Sequence, residues 1–358
     1  MTILDRLGYF VGHARIIKPR PKLVIRILTG YARTLLLGQT VLRTMELALL
    51  TECNSKCDMC YAAKVKQPEK TYLTVAEYAD LWQQARKLGT FSVLLSGGEP
   101  TLRRDILDIM AVLDPKNTII GMTTNASRLT PDFLQALQQA GLNTLHLSLD
   151  GLDPATNDRI RGMKGHFDMV MNAIEDAQSA GLHVFLSTVV HHEGLDKMRA
   201  MVEFARKRKV GVVFSLACIS GNWDQRDGVL LTGEEWQEVQ AFMRANPHIR
   251  SDWTINFSLR QECPGGREKV NISPYGDVMG CGMNFISFGN IREEPLEKIW
   301  HRMQQFPYFK ERSPNCLIGA HPEYIRNYIA PISGQRVPVQ IDQHPSYPIS
   351  LADLDSRT

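Results

Sequence analysis

Between Arg43 and residue 220, short runs rich in β-branched residues and leucine alternate with longer amphipathic stretches, and nothing else in this 358-residue chain restricts its fold so tightly. The strand-like runs are 44–50, 92–96, 118–123, 144–149, 183–190 and 212–217, and helical periodicity fills 74–88, 104–113, 131–140, 168–180 and 195–207. Gly89, Gly141 and Gly181 stand where helix C-caps need them. Strict alternation implies a parallel sheet with right-handed crossovers, and about six units imply an α/β fold built as a partial (β/α)6 barrel. Ligand sites in such sheets gather beyond the carboxyl ends of the strands.

After Gly221 the rhythm fails, so the expected division is a basic amphipathic segment (1–42), the barrel (43–220), a linker and helix (221–262), a small cysteine-bearing C-terminal domain (263–330) and a loosely packed tail (331–358). The length fits one large domain with an appendage, since single cores stop growing near ~250–300 residues. With 44% hydrophobic and 22% charged residues, disordered and fibrous classes drop out.

Net charge is only +3, too little to argue for a nucleic-acid partner. Its distribution is uneven, with no acidic residue between Asp5 and Glu46, where Arg15, Lys18, Arg20, Lys22, Arg26, Arg33 and Arg43 mix with Ile16, Ile17, Leu23, Leu28, Leu35 and Leu36. The ordinary reading is a helix packed across the barrel; the other is peripheral contact with an anionic membrane at its inner face. No apolar run reaches the ~18 residues of a membrane span and no signal peptide is evident, so a cytoplasmic protein is expected. Seven cysteines, an odd number in a reducing compartment, favour metal ligation or catalysis over disulfides.

Three of them follow the first strand as Cys53-Asn-Ser-Lys-Cys57-Asp-Met-Cys60. Thiolates this close can converge on one centre, and sulfur-only ligation suits zinc or an iron–sulfur cluster. Three ligands leave one iron of a four-iron cube open, although zinc with a fourth ligand borrowed from elsewhere remains an alternative. After the second strand comes Ser96-Gly97-Gly98-Glu99-Pro100, whose glycines allow close backbone approach and whose carboxylate can accept from an ammonium. Thr124 and Asn125 close the third strand, and Ser148 and Asp150 close the fourth; such groups suit a ribose and a carboxylate.

The C-x3-C-x2-C triplet and the Gly-Gly-Glu motif resemble the radical S-adenosylmethionine (SAM) superfamily. The resemblance spans roughly residues 44–320. It implies that Cys53, Cys57 and Cys60 carry a 4Fe-4S cluster whose open iron chelates SAM, and that one-electron reduction yields methionine and a 5′-deoxyadenosyl radical. It assigns Gly97, Gly98 and Glu99 to the methionyl amine, and Arg161, in a stretch like the family's Arg-Gly-x-x-Gly-x-Phe-Asp segment, to the methionyl carboxylate. Met59 stands where an adenine-contacting aromatic residue is common.

Cys263 and Cys281 flank an expected hairpin turning at Tyr275-Gly276-Asp277, and Cys316 lies beyond an expected helix that follows Phe288. This resembles the SPASM/twitch appendage, implying a second, auxiliary 4Fe-4S cluster on Cys263, Cys281 and Cys316. The usual paired cysteines are reduced to Cys316, with Gly319 in place of a partner. A fourth ligand stays open among His321, Cys218, a carboxylate and the substrate; Cys218 alone reads as core or substrate-facing. The expected activity is hydrogen abstraction from an unactivated C–H bond of an organic substrate, with an electron donor such as flavodoxin or ferredoxin. A metabolite or lipid-like substrate is expected, because no leader-binding module is recognisable before the barrel. The alternatives are a peptide-modifying enzyme and, in another class, a non-catalytic zinc scaffold.

Overall fold

The computed structural model describes residues 20–192, 194–246, 249–251, 257, 260, 262–346 and 348–356. Arg15, Ile16, Ile17 and Lys18 of the basic segment lie outside them, as does most of the 248–257 link.

Helix α1 (Pro21–Leu37) starts on a proline and stops at Gly38 in the left-handed region. It lies across the amino ends of the strands: Arg20 donates to the Thr118 carbonyl at 3.0 Å, and Arg26 to those of Thr90 and Asn117 at 3.3 Å. The barrel then runs β1 (Thr44–Ala48), α2 (Val75–Lys87), β2 (Ser92–Ser96), α3 (Ile106–Val112), β3 (Ile119–Thr124), α4 (Pro131–Gln139), β4 (Leu142–Ser148), α5 (Pro154–Arg161), α6 (His166–Ser179), β5 (His183–Val190), α7 (Leu195–Lys207) and β6 (Gly211–Leu216). Helix starts are chemically marked, by a capping box between Thr74 and Glu77 and by the side chains of Thr130 and Asp153. All neighbouring strands from β1 to β6 pair in parallel. α8 (Gly233–Ala245) and the two-residue β7 (Arg250–Ser251) extend this edge.

Side-chain alternation fixes where the core lies. Met45, Leu47, Val93, Leu95, Ile120, Met122, Leu145, Leu147, Val184 and Leu186 are buried. The intervening positions, among them Glu46, Ser96, Thr123, Ser148, Ser187 and Ser215, face a cavity of about 700 Å³. With small and polar residues pointing inward, the barrel cannot fill itself, and its interior stays available for ligands.

The C-terminal region is not a separate sheet. β8 (Lys269–Ile272) pairs in parallel with β1, Thr44 opposite Lys269, then turns into antiparallel β9 (Asp277–Met279) and β10 (Ile286–Asn290). The expected hairpin forms at its expected turn. The helix expected after Phe288 begins later, as α9 (Leu296–Gln305), because Phe288 sits inside β10. The 331–358 tail is docked rather than loosely packed. Its β11 (Val339–Gln340) pairs with β10, Ile341 and Leu354 are fully buried, and Asp355 of the terminal helix Leu351–Asp355 joins Glu294 in clamping the buried Arg302 guanidinium. Among the described residues no helix is long and apolar enough to cross a membrane.

Candidate active site

The loop bearing Cys53, Cys57 and Cys60 follows β1 and is gripped by its neighbours. Leu49 donates to Ser96, Gly98 to Leu50 and Glu99 to Glu52, so the Gly-Gly-Glu loop runs along the cysteine loop. A Cβ on Gly98 would lie 2.1 Å from the Glu52 carbonyl oxygen, and one on Gly97 2.6 Å from that of Leu50. These glycines therefore serve the close packing of two protein loops as well as lining the cavity. On another side, Asn222 donates its backbone N–H to the Cys60 carbonyl and its side chain to the Cys57 carbonyl at 2.8 Å. A Cβ on adjacent Gly221 would meet the Cys60 carbonyl at 2.0 Å. The sequence marked 221–227 only as a loop; the Gly221-Asn222 pair a few residues beyond the last barrel strand was the available signal.

Glu99 is buried with its carboxylate held in a fixed orientation. One oxygen accepts from the Thr101 N–H (3.1 Å) and from the hydroxyls of Thr101 and Thr124 (2.6 Å each); the other accepts from the Asn125 N–H (2.7 Å). Asn125 also donates its side-chain amide to Asn54 Oδ1 at 2.8 Å, to Ser55 Oγ at 3.3 Å and to Cys53 Sγ at 3.8 Å. Thr124 and Asn125 thus both line the cavity and fix Glu99 and Cys53.

Arg161 reaches the cavity from the end of α5. It donates to Cys57 Sγ at 3.8 Å, its Nε has no hydrogen-bond partner, and it pairs with Asp150. Asp150, expected to contact the cofactor, lies behind Arg161, outside the lining residues. Its carboxylate accepts from the Thr188 hydroxyl and the Val189 N–H at 2.9 Å each and faces Lys197 at 3.5 Å. Burial alone would raise its pKa, but Arg161 and Lys197 outweigh that and hold it below the usual carboxylate range. Ser148 faces the cavity; Met59 does too, packed against the Ala217, Trp223 and Val229 cluster.

Cys263, Cys281 and Cys316 line the same cavity as the first triplet. Between the two sets stands an ion pair that the sequence reading passed over: Glu46 of β1 lies 3.0 Å from Lys269 of β8 and accepts from the Ser96 hydroxyl at 3.1 Å. A carboxylate alternating with the buried Met45 and Leu47 was its signal. Two proposed fourth ligands stand away from the lining: Cys218 shares a 2.9 Å contact with the Ser220 hydroxyl, and His321 accepts from the Tyr324 N–H. A side chain on Gly319 would strike Leu216 Cβ at 2.8 Å, so packing against β6 excludes a cysteine there.

The donor sets fit iron–sulfur clusters. Burial, then the charge of Cys57, pushes the Cys60 thiol up to about 11, and burial raises Cys281 to about 12. Among the described residues no three His, Cys, Asp or Glu side chains gather tightly enough to hold one ion. A four-iron cube seats each cysteine on its own iron, which suits three thiolates carried on one loop.

A Radical SAM superfamily model matches residues 48–205, and an iron–sulfur cluster-binding domain model, SPASM, matches 263–318. PqqA peptide cyclase of Rhizobium meliloti is 26% identical over 283 residues, covering 74% of this chain and 75% of that protein. Fe-coproporphyrin III synthase of Methanosarcina barkeri is 30% identical over 308 residues, covering 76% of each. In fold, the crystal structure of Streptococcus suis SuiB bound to precursor peptide SuiA matches with a TM-score of 0.58 at 18% identity, covering 76% of this chain and 66% of that one.

Proposed function

The chain belongs to the radical SAM superfamily and carries a SPASM module, and on that premise we propose that it abstracts hydrogen from a peptide substrate held between two iron–sulfur clusters. It is an enzyme whose cofactors are a 4Fe-4S cluster, SAM and further iron–sulfur in the SPASM region. Bound on Cys53, Cys57 and Cys60, the reduced cluster would supply the electron for reductive cleavage of SAM, and SAM would supply the hydrogen-abstracting group. Cys53, Cys57 and Cys60 hold that cluster; Cys263, Cys281 and Cys316 hold the auxiliary one. Glu99 and the Gly97–Gly98 backbone take the methionyl ammonium, and Arg161, kept in place by Asp150, takes the carboxylate. Ser148 meets the ribose, and Met59 supplies an apolar wall for the adenine. The barrel walls exclude water, and a flavodoxin or ferredoxin delivers the electron.

The observation that carries this reading is one cavity lined by six of the seven cysteines together with Glu99 and Arg161. The similarity to PqqA peptide cyclase, and the fold shared with peptide-bound SuiB, favour a peptide over the metabolite or lipid-like molecule expected from the sequence. A second reading, a metabolite substrate, draws on the similarity to Fe-coproporphyrin III synthase. The cavity of about 700 Å³ houses the clusters and SAM as well as the reacting part of the substrate. Anaerobic reconstitution with SAM and dithionite should release 5′-deoxyadenosine, and deuterated candidate peptides should pass deuterium into it. Transfer from metabolites alone would reverse the assignment, and undiminished SAM cleavage after alanine replacement of Cys53, Cys57 and Cys60 would overturn the whole scheme.

A further inference from the structure

Among the described residues, seven large apolar side chains stay more than a third exposed, and five of them are on α1: Ile25, Leu28, Leu35, Leu36 and Leu37, with Leu36 at 80%. Scattered single leucines need no explanation, but a concentration on one helix does. The helix is firmly seated, because its other face buries Leu23 and Ile27 against Val41, Phe91 and Phe257, and Gly30 lies directly against the Phe257 ring. The apolar face is thus presented by an anchored element.

Its surroundings are cationic. Lys22 is exposed on α1, and the contacts of Arg26 with Thr90 and Asn117 set the helix beside the turns that carry exposed Arg86, Lys87 and Lys116. Asp114 is the carboxylate whose charge acts on Arg26, and positions 6 to 45 hold no acidic residue.

We propose that this face of α1 docks the enzyme onto an anionic lipid bilayer, with the leucines entering the interface and the cations meeting the headgroups. Charge decides the occupant. A second copy would bring the same cationic rim against itself. Residues 1–19, with Arg6, Arg15 and Lys18 against Asp5, carry the rim's own sign. Docking also sets the reaction cavity against the bilayer, because Ile27 and Tyr31 on the inner face of the same helix line that cavity.

Co-sedimentation of the full chain with phosphatidylcholine vesicles, with and without phosphatidylglycerol, tests this, with iron content as the control for folding. Binding is expected only to anionic vesicles, and it should fade with added salt. Combining Lys22→Gln, Lys87→Gln and Lys116→Gln should weaken partitioning about a hundredfold, since each cation near such a surface is worth roughly fivefold. Leu28→Glu with Leu36→Glu should abolish it at unchanged iron content. Failure to bind anionic vesicles, or binding indifferent to both variants, would overturn the proposal. So would a solution dimer dissolved by the leucine variant without vesicle binding, or binding lost only on removal of residues 1–19.

Discussion

Asp150 and Asn125 show how this chain separates residues that meet ligands from residues that hold those residues still. Asp150 is wholly buried between Arg161 and Lys197. Asp150→Asn leaves two cations without their anion, and removal of one partner from a buried ionic set costs about 3–5 kcal/mol. The expected outcome is a clear loss in denaturant midpoint together with a raised KM for SAM; a normal KM in a destabilised protein would restrict Asp150 to a folding role. Asn125→Ala removes the amide that reaches Cys53, Asn54 and Ser55. Partners of metal ligands typically contribute about 10–100-fold in metal affinity, so the variant should lose iron to a chelator correspondingly faster while its circular dichroism stays unchanged. The cysteines and the Gly-Gly-Glu motif were legible because they are contiguous. The roles of Asp150 and Asn125 were not, because they are fixed by contacts between separate loops and strands, Asp150 with Arg161, Thr188 and Val189 and Asn125 with Cys53.

Strands and helices of the barrel were legible for a different reason: their signals are local. β2, β5 and α7 fall where apolar spacing put them, and the structure adds side-chain caps from Thr74 and Thr130 at two helix starts. Ties between elements were silent. Arg292 donates to both carboxylate oxygens of Glu77 and so links the start of α2 to the turn after β10, 215 residues away. That contact, ahead of the cap from Thr74, draws the Glu77 carboxyl down to about 2 from an ordinary 4.5. Since the folded value lies below the unfolded one, the stabilisation is complete above pH 4.5 and disappears as pH falls through 2. Solvent screening limits it to about 1 kcal/mol. The stability gap between wild type and Glu77→Gln, followed by urea unfolding, should therefore narrow on acidification across that window. A gap constant from pH 6 to 2.5 would mean that Arg292 does not hold Glu77 in solution.

At the scale of the molecule, the two cysteine sets share one chamber because β8 hydrogen-bonds directly to β1, the strand that leads into the first set. Nothing in local periodicity announces that partnership; the sequence reads as a barrel followed by an appendage, and only register over more than two hundred positions reveals a single sheet. Among the described residues the far edge beyond β10 is the two-residue β11, which offers little template for unwanted pairing. Cutting the chain before Cys263 would uncover the flank of β1 and put a raw five-residue edge in water beside buried Met45 and Leu47. Such a fragment is expected to associate into large species in light scattering, even with every barrel strand retained. The later metal-binding segment therefore works as a hem as well, finishing a border that the barrel alone would leave to fray into its neighbours.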